Sequence, residues 1–247
     1  MLQNNVPISP MLSIPWVDQD CWRVDWLHAC DMGVSADYIG QLFYRLIQLK
    51  KLSGETQAKR ADSLFKKLNE WYEQNPDADR IHSFSMLTIK SKKAKLPRMK
   101  CQAAVLRHMV PFAKMLAEEC CDMANPEQAA MKHGMVHLWQ CYMCLRSGSI
   151  KGDALMAEST KFILQYAGLQ EMTPTVFRLR PKSHQLLELG LEASEGGEPE
   201  TCWTYRDEDF GGTGSHFAKR RGSVLTVKSF SIVVMTRFFS QPFIRIT

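Results

Sequence analysis

Residues 21–28 read CWRVDWLH, and the α/β character of the fold hangs on them. Apolar and polar residues alternate weakly through it, which is the period of a short half-buried strand. A strand here carries Asp25 to the edge of a cleft, with His28 three residues further on. An imidazole at that spacing can orient the carboxylate or join a metal shell. The same quartet also suits a turn capped by Asp25, with His28 filling a partly buried slot. The next stretch is Asp31-Met32-Gly33-Val34. Ser35 can then cap a helix from about Ala36 to Lys51, with Ile39, Leu42, Phe43, Leu46 and Ile47 on one face.

Outward from this stretch the chain reads as mostly helical. Residues 1–20 hold Pro7, Pro10 and Pro15 without periodicity and read as an extended arm. From about Glu55 to Gln74, Leu64, Phe65, Leu68, Trp71 and Tyr72 mark one buried stripe, stopped by Asn75-Pro76-Asp77. Residues 99–123 read as a helix bent or restarted at Pro111. Asn125 and Pro126 give a cap and first-turn signal for a helix reaching about Arg146. Residues 152–167 form another helix, with Leu155, Met156, Ser159, Phe162, Ile163 and Tyr166 inward, and residues 182–193 a short one. The loop EASEGGEPE is polar enough to be mobile. Residues 223–239 fit neither the helical nor the strand period cleanly. The expected fold is mostly α with one or a few short strands near the ends.

Composition bounds the function. The chain has 247 residues, 45% apolar and 23% charged, the balance of a globular protein with a sizeable core. No apolar run approaches the roughly 18 residues of a membrane helix, so no membrane partner is expected. The first residues lack a basic region ahead of an apolar stretch, so no secretory signal is expected. Eight cysteines with no framework spacing fit a reducing, intracellular compartment. The net charge of +5 is unevenly placed. Lys90, Lys92, Lys93, Lys95, Arg98 and Lys100 lie in eleven residues without an acid. Phe210 to the end holds Lys219, Arg220, Arg221, Lys228, Arg237 and Arg245, again without an acid. The remainder of the chain stands at −7. Segregated positive charge is the footprint of phosphate-backbone binding, although solvated loops produce the same pattern.

Two further constellations could carry chemistry. Tyr205-Arg206-Asp207-Glu208-Asp209-Phe210-Gly211 sets three acids between aromatics, a donor set for Mg²⁺ or Mn²⁺ or else a solvated acidic turn. His133, His137, Cys141 and Cys144 step by four, four and three along one helix face. They spread over about 16 Å, so a single Zn²⁺ could take at most two neighbours, with partners from elsewhere such as His108 or Cys120. An inward stripe of a buried helix explains the same spacing.

Taken together, VDWLHxxDxGV (24–34), RPKSHQLLEL (180–189) and YRDEDFG (205–211) resemble the back half of a cut-and-paste transposase of the DDE type, of the hAT and CACTA-like groups. The resemblance implies a partial ribonuclease-H-like α/β core over residues 21–53, a large helical insertion over 54–200, and a segment with the final acid and a basic tail over 201–247. It implies Asp25 and Glu208 as catalytic acids that hold a divalent cation, with His28, Asp31, His184, Asp207 and Asp209 in support. It implies Mg²⁺ or Mn²⁺ as cofactor, DNA as partner and the nucleus as location. Lys92, Lys93, Lys95, Lys219, Arg220 and Arg221 are the expected nucleic-acid contacts. The 24 residues before Asp25 are too few for the strands that carry the family's first aspartate. Three glycines follow Glu208 within six residues, where each costs about 1 kcal/mol in a helix interior. The expectation is therefore a C-terminal catalytic fragment, inactive alone, or else a non-enzymatic helical module that binds nucleic acid or protein. A zinc-stapled helical protein is the third reading.

Overall fold

The computed structural model describes residues 23–91, 93–145, 152–199 and 204. All of these up to Pro199 belong to one compact unit. A π-helical stretch, Leu27–Ser35, runs without a break into α1 (Ala36–Gln48). There follow α2 (Gln57–Gln74), α3 (Met86–Ile89), α4 (Ala103–Cys120), α5 (Pro126–Leu145), α6 (Gly152–Met172) and α7 (Pro181–Ser194). Helices α5, α6 and α7 pack in succession, and α4 lies against α5. The π-helical stretch touches α4 and α7, while α2 and α3 cover α1.

The described residues contain no strand, which corrects the expected fold: neither the few short strands nor the partial ribonuclease-H-like α/β core is found among them. Arg23–Asp25 are irregular, and the chain is helical from Trp26. The weak alternation in CWRVDWLH is overridden by a helical one, since Trp26, Leu27, Cys30 and Val34 are all buried, at i, i+1, i+4 and i+8. Asp25 starts the helix: its Oδ1 accepts from the Leu27 amide at 3.2 Å and its Oδ2 from the His28 amide at 3.3 Å. Two otherwise unpartnered first-turn N–H groups are thereby satisfied. Ser35 is not a cap. Its backbone is helical, and its hydroxyl turns inward to Tyr142.

Elsewhere local chemistry sets the boundaries. Thr56 caps α2 by accepting from the Lys59 amide, and the Asn125 side chain accepts from the Gln128 amide ahead of Pro126. Pro111 sits inside a single helix, α4, with no restart. The core centres on aromatic side chains. Tyr38 meets Phe162 and Tyr166 edge to face, each with centroids 5.0 Å apart, and its hydroxyl donates to the Met131 carbonyl at 2.9 Å. No helix among the described residues is long and apolar enough to cross a membrane.

Candidate functional site

The Asp25 and His28 pair occupies the mouth of the π-helical stretch. Besides the two amides, Asp25 Oδ2 pairs with His28 Nδ1. The backbone carbonyl of His28 accepts from Lys182 Nζ at 2.6 Å. The first and second transposase-like motifs, about 150 residues apart in sequence, are therefore neighbours in space through Lys182. His184, from the same second motif, points elsewhere: it is exposed and pairs with Glu188 on its own helix at 3.1 Å. Asp31 is fully buried and accepts from the Tyr142 hydroxyl at 2.5 Å. With that proton committed to Asp31, the Tyr142 oxygen is the acceptor for Ser35, at 2.8 Å, and for the Cys30 thiol. Burial pushes the Cys30 thiol and the Tyr142 phenol well above their usual ranges, so both stay protonated as donors. Asp31 thus ties the π-helical stretch to α5 rather than facing solvent.

The Lys90–Lys100 loop and the Arg178–Lys182 segment meet on Asp37, in the first turn of α1. Asp37 Oδ1 lies 3.3 Å from Arg98 Nη1 and 3.5 Å from Arg180 Nη1. Arg98 Nη2 donates to the Met32 carbonyl. Burial pushes the Asp37 carboxyl above its usual range, and Arg98, Arg180 and Lys182 pull it back. Backbone bonds hold the loop in place: Arg98 N–H to the Ile89 carbonyl at 2.7 Å, Met99 to Ala36 at 2.9 Å, and Lys100 to Thr88 at 3.0 Å. Gly40 makes this approach possible, because a Cβ there would stand 2.4 Å from the Met99 nitrogen. On the α7 side, Pro181 at the first helical position fixes Arg180 as the residue before the helix. Lys93, Lys95, Lys100 and Arg178, each within five residues of Arg98 or Arg180 in sequence, are exposed, and Lys90 lies over the Tyr44 ring. The result is a basic edge with one buried acid beneath it.

Several expected residues fall elsewhere. Lys92, the acids Asp207, Glu208 and Asp209, and the basic Lys219, Arg220 and Arg221 lie outside the described residues, as do the arm over 1–20 and the tail over 223–239. His133 is exposed, His137 Nδ1 is 2.7 Å from Glu158 Oε2, and Cys141 and Cys144 are buried. Burial, with Cys30 and Cys144 nearby, pushes the Cys141 thiol far up, away from the thiolate that zinc requires. Among the described residues no three His, Cys, Asp or Glu side chains gather as a metal site.

Sequence reasoning overlooked Asp37 and the partnership of Arg98 with Arg180 and Lys182. One signal was present. Acids are absent from Arg80 through Ala117 and again from Met172 through Leu187, so the two segments that meet are the acid-free ones. No protein-family model, no curated protein and no solved structure matches the chain.

Proposed function

We propose that the chain is a helical module that holds duplex DNA by its phosphate backbone along the basic edge around Asp37, and that it performs no strand chemistry by itself. The observation that carries this reading is the convergence of Arg98, Arg180 and Lys182 on one buried carboxylate, with exposed Lys93, Lys95, Lys100 and Arg178 next to these residues in sequence. Positive charge gathered from two distant segments on one edge suits a polyanion with regularly spaced phosphates. The transposase-like motifs point to the same partner and to the nucleus as the place of action. The non-catalytic part is supported by Asp25, whose two oxygens serve as acceptors for the start of a helix while one also pairs with His28.

Titration of a labelled duplex at two salt concentrations tests the reading. The expected result is sequence-independent binding whose log affinity falls against log salt by about 0.9 per phosphate contact. Absence of binding at low salt would overturn it and favour an acidic protein surface as the partner. Adding Mn²⁺ is expected to leave the duplex intact. Nicking that vanishes in Asp25→Ala would overturn the non-catalytic part.

A further inference from the structure

We infer that Asp37 fixes Arg98 and Arg180 as a clamp for one phosphate group of the DNA backbone, with Lys182 beside it; the choice of DNA as the source of that phosphate rests on the function proposed above. A solvated patch of lysines needs no acid beneath it. Here two guanidiniums share one oxygen of a carboxylate whose side chain is 4% exposed. Arg98 is held twice, through Nη1 to Asp37 and through Nη2 to the Met32 carbonyl. The arginine side chains remain 34% and 36% exposed, so the pair is reachable from outside. One carboxylate against two guanidiniums leaves a positive excess, and Lys182, anchored to the His28 carbonyl, adds to it. A planar guanidinium fork matches phosphate oxygens bidentately, which an ammonium cannot do. Arg98 is held by two hydrogen bonds and Arg180 by its ion pair with Asp37, which lowers the ordering cost that free side chains would carry. Asp37 is thus a positioning residue, acting through the two arginines.

Two substitutions separate a clamp from a diffuse basic patch, because the two accounts predict opposite or different results. Asp37→Asn adds one positive charge. A diffuse patch would then bind duplex more tightly. A clamp that has lost its support binds about tenfold more weakly, roughly the value of one hydrogen bond to a charged group. Arg180→Lys keeps the charge. A diffuse patch is indifferent to it, whereas the clamp again loses about tenfold. If Asp37→Asn fails to fold by circular dichroism, Arg180→Lys, at a partly exposed side chain, still decides. Duplex binding that is equal or tighter in the folded variants overturns the clamp and leaves the DNA reading intact. If the wild type binds no duplex, titration of inorganic phosphate followed by ³¹P line width decides. Broadening that Arg180→Lys abolishes retains the clamp as a site for free phosphate while the DNA reading falls, and no broadening overturns both.

Discussion

The Tyr142 hydroxyl donates to a carboxylate that has no access to water, and it accepts from Ser35 and Cys30 at the same time. Tyr142→Phe keeps the ring, including its edge-to-face contact with Trp26, but takes one donor from Asp31. The expected cost is about 1–3 kcal/mol, the penalty for under-serving a buried charged acceptor. Urea unfolding checks it, with a lower midpoint and an unchanged slope expected. At this scale the sequence was only partly legible. Asp25 and His28 were readable as a pair because they sit three residues apart, and proximity in sequence guaranteed proximity in space. The use of Asp25 as a helix start was weighed only as a turn cap. Asp31 reads as a supporting site acid beside Asp25 and His28, and Asp37 does not stand out in a one-dimensional pattern. What buries them are Tyr142, Arg98 and Arg180, which lie 61 or more positions away. No local rule links residues at such separations.

Helices announced themselves where one apolar stripe repeated. Leu64, Leu68 and Tyr72 are buried in α2, and Leu155, Phe162 and Tyr166 in α6. The stretch over 21–28 misled because eight residues with two tryptophans satisfy either period, and only burial on several sides settles the matter. The π-helical stretch is covered by both α4 and α7, so apart from exposed His28 its pattern has little polar face to reveal the helix. The single turn α3 is too short for periodicity to detect. Two glycines on helices make opposite predictions. Gly40→Ala drives a methyl onto the backbone of Met99, and the loop must move. The expected destabilisation is about 1–3 kcal/mol, with weaker DNA binding as Arg98 is displaced. Gly168→Ala in α6 meets nothing within 4 Å. It is expected to stabilise by up to about 1 kcal/mol through helix propensity alone. Thermal melts of the two variants, read side by side, check both signs.

For the whole molecule, two carboxylates clasp helices together and contribute a loss of stability in acid. Burial works to raise the Glu127 carboxyl, but the fork from Arg45, 2.8 Å at each oxygen, and the Thr173 hydroxyl outweigh it and hold the group below its usual range. Glu158 is likewise held low against burial by Lys161 and His137. Carboxyls with depressed folded values give stability above their ordinary value of about 4.5 and lose it as pH falls further. Stability is therefore expected to drop through the acid range below that value, and Glu127→Gln to flatten the drop. Denaturant midpoints taken across that range check the slope. At this scale the charge segregation was legible in the sequence, but the meeting of the acid-free segments at Asp37 was not, because it depends on how α7 docks beside the π-helical stretch. The proposed duplex-binding edge depends on that meeting. The salt dependence of duplex binding, in the wild type and in a Lys93→Glu, Lys95→Glu variant, reads that edge. The predicted result is a steep wild-type slope that flattens by about two in the variant, one for each lost phosphate contact. An unchanged slope, or a wild type that ignores DNA at low salt, would contradict it.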